Sequence, residues 1–161
     1  MTISVGGRVP AVALKRIGAE GVEDVAAKDL FDGKLVVLFG LPGAFTPTCS
    51  ANHLPGFVRA ADALKAKGVD RIACVSVNDA FVMDAWGKDR GIGDRVLMLA
   101  DGSGEFTAAI GLTQDMSARG FGVRSRRYSM IVEDGVVKSL ELETGRGVVG
   151  VSGAEAVLAK L

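Results

Sequence analysis

The sequence predicts an α/β protein built on a mixed β-sheet flanked by helices, and three observations carry that prediction. Short apolar runs suited to buried strands, at residues 35–39, 69–77 and 95–100, alternate with helical patterns. Near the end, Glu133-Asp134-Gly135 separates two strand-like runs, 128–132 and 136–142, which is a strong hairpin signal. Finally, 161 residues, 48% of them apolar, make one ordinary domain (1–161) with enough chain to bury a sizeable core.

Taken in order, residues 1–34 read as short strand-like pieces punctuated by Gly6-Gly7, Gly18, Gly21 and Gly33. One helical turn is expected over 26–31, and nothing in this region suggests chemistry. The run LVVLF at 35–39 reads as a buried strand ended by Gly40, with a tight Pro42-Gly43 turn after it. Thr46-Pro47 then reads as a helix start, Thr as N-cap and Pro at the first helical position. That helix should run to about Lys67 with Gly68 as its stop, placing Leu54, Phe57, Val58, Ala61 and Leu64 on the core and kinking at Pro55. After the strand at 69–77, Asn78-Asp79 starts another helix, with Phe81, Val82 and Trp86 expected on one face. A third strand over 95–100 ends at Asp101-Gly102, a short helix follows over 105–112, and residues 152–161 read as a closing helix.

Composition narrows the function. Nineteen basic and nineteen acidic side chains cancel, so there is no charge footprint for nucleic acid or a membrane surface. No apolar run approaches the roughly 18 residues of a spanning helix, and the N-terminus lacks a signal-peptide arrangement, so a cytoplasmic protein is expected. In such a reducing compartment Cys49 and Cys74 read as free thiols, and with His53 alone they cannot complete a four-ligand Cys/His zinc site. Gly91-Ile92-Gly93-Asp94 does not complete a dinucleotide motif. Neither metal nor cofactor is expected.

The chemistry points to Cys49. With Thr46 as N-cap and Pro47 first, Cys49 falls in a helix's first turn, where free N–H groups and the positive end of the dipole favour an anion. The thiolate, not the thiol, is the nucleophile. A buried, inert cysteine is the plain alternative, and this placement argues against it. Ionisation by itself gains little: an ordinary thiol is roughly 3% ionised at pH 7, so complete ionisation yields at most about 30-fold. Larger rates need donors aimed at the atoms that gain charge as a bond breaks. Thr46 offers a hydroxyl, loop N–H groups offer others, and a fixed cation must come from elsewhere. The candidates lie in Arg124-Ser125-Arg126-Arg127, for which the residues alone favour a solvated basic run entering a strand.

Pro42-Gly43-Ala44-Phe45-Thr46-Pro47-Thr48-Cys49-Ser50 resembles the peroxidatic-cysteine loop of peroxiredoxins, in particular the type-II or peroxiredoxin-5-like subfamily. Pro42, Thr46 and Cys49 match the family pattern. The segments HLPGF, SVNDAFV and Arg127-Tyr128-Ser129-Met130 extend the likeness, Tyr128 standing where the family has Phe. The resemblance implies a thioredoxin-like fold and a cofactor-free thiol peroxidase that reduces hydrogen peroxide or alkyl hydroperoxides through Cys49. It implies that Arg127 stabilises the thiolate and holds the peroxide, with Arg124 and Arg126 as weaker alternatives, and that Pro42 shapes and shields the pocket. It further implies a homodimer packed near the active site. His53, four residues past Cys49, reads as an ordinary polar helix position, although a Cys–His pair is conceivable. Trp86 and Phe121 read as core or interface packing, with pocket wall as the alternative. Cys74 reads as a buried strand cysteine, the alternative being a resolving thiol. Some relatives carry a further cysteine near the C-terminus; here none follows Cys74. An external thiol (glutathione, glutaredoxin or thioredoxin) is therefore the favoured reductant.

Overall fold

Strand β1 (Leu14–Gly18) folds back on β2 (Gly21–Val25), and helix α1 (Ala27–Phe31) leads to β3 (Leu35–Gly40). A π-helical turn over Cys49–His53 runs into α2 (Leu54–Ala66), followed by β4 (Arg71–Ser76), α3 (Ala80–Asp89), β5 (Leu97–Ala100) and α4 (Glu105–Ala109). Then come β6 (Thr113–Asp115), β7 (Val123–Ser125), β8 (Tyr128–Glu133), β9 (Val136–Leu142) and α5 (Ala154–Leu158). This computed structural model describes residues 1–145 and 147–161.

Seven strands make one mixed sheet in the order β2-β1-β5-β4-β3-β8-β9, and β6 and β7 form a separate ribbon. The apolar strands β3, β4 and β5 are parallel neighbours at the centre; β8 adds antiparallel to β3, and β9 to β8. Because successive side chains alternate faces, each central strand serves two cores. Val37, Phe39 and Cys74 face a layer made by α2, α3 and α5, through Leu54, Phe57, Met83, Trp86 and Val157. Val36, Leu38, Ala73, Tyr128 and Met130 face the other side, against Leu30, Phe31, Phe106 and Ile110. Each fully buried Leu or Phe in these layers contributes on the order of 1.5–3 kcal/mol. Asp134 and Gly135, both at positive φ (49° and 79°), close the β8–β9 hairpin as the sequence predicts.

Three expectations change. Pro55 does not kink a continuous helix. It sits in the first positions of α2, preceded by the π-helical turn in which the Leu54 N–H reaches back five residues to the Cys49 carbonyl. That register leaves the Ser50 carbonyl facing a proline with no N–H, and Arg90 Nη1 fills the gap at 3.4 Å. Phe81 does not share the Trp86 face, whereas Val82, one turn before Trp86, is half-buried. Asp79 caps α3 by accepting the Val82 N–H at 2.9 Å; Ala80, Met83 and Trp86, three residues apart, face inward, and Phe81 is left 68% exposed. His53 is not an ordinary polar position but is buried, 1% exposed. Leu54, Phe57, Ala61 and Leu64 do face the core, Val58 packs partly against it, and Gly68 ends the helix at φ +95°.

Candidate active site

The site forms where β3 ends. Gly40 is opposite Tyr128 in the β3–β8 ladder, and a Cβ on Gly40 would fall on the Tyr128 ring, so the strand needs glycine there. Beyond it, residues 41–46 are pinned from several directions. The Ser76 hydroxyl donates to the Leu41 carbonyl (3.2 Å), Arg124 Nη1 donates to the Pro42 carbonyl (3.3 Å), and the Ala44 N–H donates to Asn78 Oδ1 (3.0 Å). Phe45 adopts φ +62°, a strained conformation for a bulky residue, which such pinning sustains. Pro47 and Thr48 are already helical, as the Thr-Pro signal predicts. Thr46, however, is no side-chain cap: its hydroxyl donates to the Gly43 carbonyl at 2.6 Å.

Cys49 is 1% exposed, with Arg127 Nη2 donating to its Sγ at 3.2 Å. Arg127 reaches it by strand parity. It shares a face with Ile131, which packs in the layer that holds Cys49, while Tyr128 and Met130 point the other way. The basic run at 124–127 therefore enters the protein instead of solvating, and Arg127 is only 8% exposed. Its other nitrogen, Nη1, lies 2.9 Å from His53 Nδ1. A guanidinium can only donate, so Nδ1 accepts and the His53 proton sits on Nε2, which donates to the Ser152 carbonyl at 3.0 Å. Burial, reinforced by the Arg127 charge and opposed by the Ser152 carbonyl, lowers the His53 pKa from 6.5 to about 4.

Glu143 anchors the far end of this chain. Its Oε1 accepts the N–H groups of Gly150 (2.5 Å) and Ser152 (2.9 Å) and the Ser152 hydroxyl (3.0 Å). Desolvation alone would raise its carboxyl, but those three donors hold it below the usual range. The Glu143 N–H also donates to the Arg127 carbonyl at 3.0 Å. Phe39 and Phe57 stack at 4.1 Å beside His53 and close the hydrophobic side.

The structure thus brings Cys49 and Arg127 into contact, and sets Pro42 and Thr46 in the wall of a cavity of about 590 Å³ that Arg127 also lines. Arg124 donates to the Pro42 carbonyl of the loop, and Arg126 lines the cavity wall. Trp86 is core, its N–H donating to Ser50 Oγ at 2.9 Å; Phe121 is cavity wall, flanked by the guanidinium groups of Arg119 and Arg124. Cys74 is fully buried in β4, where burial and then the nearby Cys49 push its thiol well up. Sequence reasoning weighed His53 and set it aside as an ordinary polar position, and it passed over Glu143. The four-residue spacing from Cys49 was the signal for His53; nothing local marks Glu143.

A buried thiol gripped by a fixed cation at the end of a central strand defines a thiol-based redox protein. The Redoxin family model matches residues 4–158, and the chain belongs to that family. Within it the chain is a peroxiredoxin of the type-II, peroxiredoxin-5-like group, the thiol-dependent peroxidases. It is 52% identical over 148 residues to peroxiredoxin-2E, chloroplastic, of Arabidopsis thaliana, covering 89% of this chain and 63% of that one. It is 52% identical over 165 residues to peroxiredoxin-2E-2, chloroplastic, of rice (Oryza sativa subsp. japonica), covering 99% and 73% respectively. The chain thus spans about two thirds of those relatives' own length. The structure of reduced Prx3 of Vibrio vulnificus in complex with hydrogen peroxide superposes with a TM-score of 0.94, at 50% identity over 99% of both chains. The fold is therefore thioredoxin-like, with a central mixed sheet between helices.

Proposed function

We propose that this chain, acting as one domain, reduces hydrogen peroxide and alkyl hydroperoxides with Cys49 as the peroxidatic residue. The observation that carries this reading is the 3.2 Å contact of Arg127 Nη2 with Cys49 Sγ beside a cavity. The relative crystallised with hydrogen peroxide supports it for the substrate. The thiolate attacks the terminal peroxide oxygen: an S–O bond forms, the O–O bond breaks, and the departing alkoxide or hydroxide takes a proton from water. Sulfur is oxidised to the sulfenic acid and the peroxide is reduced to an alcohol or water. Arg127, a cation that cannot deprotonate, holds the anionic sulfur and then the charge that develops on the leaving oxygen. Thr46 has its proton on Gly43, so its oxygen serves as acceptor for the peroxide O–H, and Pro42 screens the pocket.

Recycling needs a thiol from outside. Cys74 is fully buried in a central strand, and bringing it to Cys49 as a disulfide would break the sheet interior. A first thiol displaces water from the sulfenic acid to give a mixed disulfide, and a second releases Cys49 and leaves as a disulfide. Glutathione with glutaredoxin, or thioredoxin, fits this role. Two free buried cysteines suit a reducing compartment such as the cytoplasm, and with chloroplastic relatives a plastid-like stroma suits equally. No helix among the described residues is long and apolar enough to cross a membrane. Exposed Phe45 and Phe81 favour a homodimer. Rapid-mixing kinetics of the reduced protein with hydrogen peroxide test the core of this reading. Cys49→Ser should abolish peroxide loss and Cys74→Ser should preserve it, with intact mass free of an internal disulfide. Wild type reacting no faster than free cysteine would defeat the reading.

A further inference from the structure

The cavity beside Cys49 is far too large for hydrogen peroxide. A water molecule's share of volume is about 30 Å³, so two oxygens need on the order of 60 Å³. The cavity measures about 590 Å³, within the range of sites that hold drug-sized molecules. Its walls carry two guanidinium groups the peroxide chemistry does not use. Arg119 and Arg126 line it, and among the described residues neither side chain makes a hydrogen bond or ion pair; Arg119 rests only over the Phe121 ring, 5.3 Å from its centroid. The two carboxylates in the same wall are engaged elsewhere. Asp115 accepts the Ser117 N–H at 2.8 Å, and Glu143 Oε1 accepts the three donors that tie down 150–152. Pro42, Met116 and Phe121 add apolar surface to the same cavity wall.

We propose that Arg119 and Arg126 form an anion subsite in this cavity, gripping a carboxylate carried by one of the enzyme's two co-substrates. The subsite rests on the peroxidase reading and goes beyond it by naming the chemical class selected. A guanidinium fork matches a carboxylate in two hydrogen bonds, and the apolar surface suits the hydrocarbon between carboxylate and reacting group. Two sources carry that chemistry: an acidic hydroperoxide such as that of a fatty acid, or an acidic reducing thiol such as glutathione.

The experiment compares each acid with its ester. Full-length wild type, Arg119→Gln, Arg126→Gln and the double variant are reacted with linoleic acid hydroperoxide and with its methyl ester. The oxidised proteins are then reduced by glutathione and by glutathione diethyl ester. In one arm the double variant should lower the acid-to-ester ratio of kcat/KM about tenfold, the worth of one charge-assisted hydrogen bond. Raising the salt to about 0.5 M should shrink the wild-type ratio in the same arm. A loss confined to the peroxide arm assigns the anion to the oxidant; one confined to the thiol arm assigns it to the reductant. Unchanged ratios in both arms, or equal losses for acid and ester, overturn the subsite while leaving the peroxidase intact. Wild type that turns over no peroxide beyond a Cys49→Ser control overturns both.

Discussion

At the residue scale, the site depends on one arginine shared between two partners. Arg127 spends Nη2 on Cys49 and Nη1 on His53, so the imidazole aims the fork as well as filling space. Arg127→Ala should slow sulfenic acid formation by about 10²-fold or more, the usual cost of removing a preorganised donor. Arg127→Lys should recover only part of that loss, since a point charge cannot serve both partners. Stopped-flow oxidation rates decide it, and a wild-type rate in Arg127→Ala would remove the residue from the chemistry. His53 makes a different prediction. Its pKa is about 4 folded and 6.5 unfolded, so between those values the unfolded chain binds more protons. Stability is full above pH 6.5 and falls as pH drops towards 4, by about 3 kcal/mol from this group alone. Urea titrations at pH 7 and pH 4.5 should show His53→Asn with a shallower acid loss than wild type. Parallel curves would mean His53 is protonated in the folded state.

At the scale of elements, β3 and β8 meet at one crowded pair. Tyr128 lies over Gly40 and is fully buried, and among the described residues its hydroxyl is the one buried side-chain polar atom without a hydrogen-bond partner. Burial also raises its pKa, so the phenol stays protonated and still lacks an acceptor. An unpaired buried hydroxyl costs roughly 1–3 kcal/mol, so Tyr128→Phe should raise the unfolding free energy by about 1 kcal/mol. Gly40→Ala should do the reverse, losing about 1–3 kcal/mol by overpacking against the ring. Thermal and urea unfolding of the two variants read both signs. A destabilised Tyr128→Phe would mean the hydroxyl has a buried water as partner. Gly40 also ends the strand from which the Cys49 loop departs.

At the scale of the molecule, Phe81 and Phe45 are 68% and 52% exposed and flank one junction: Asn78, two residues before α3, holds the Ala44 N–H next to Phe45. An exposed phenylalanine on each side of the Cys49 loop's anchor suits an isologous dimer seated beside the site. Phe81→Glu should leave the fold intact and give a monomer in sedimentation velocity at micromolar concentration. A wild type that is already monomeric there would remove the dimer from the functional reading.

The sequence by itself determined the central strands β3, β4 and β5 and the β8–β9 hairpin, with their order of appearance, and it put Cys49 and Arg127 forward as candidates; β6 and β7 carried no signal in it. The strands, the hairpin and Cys49 are written in local signals (unbroken apolar runs, Asp-Gly at the hairpin, Thr-Pro before the thiol), whereas Arg127 was singled out by family resemblance and not by its local pattern. Only the tertiary structure decided which of the apolar residues of α3 turn inward: Ala80, Met83 and Trp86 are buried, and Phe81 is left outside. Only it placed His53 and Glu143 in the site and closed the turn at 49–53 in π rather than α register. Those outcomes rest on contacts 74 and 99 residues apart in the chain, Arg127 on His53 and His53 on Ser152. A local pattern encodes backbone propensity and burial. Which buried donor meets which acceptor is settled when the sheet and helices close on one another.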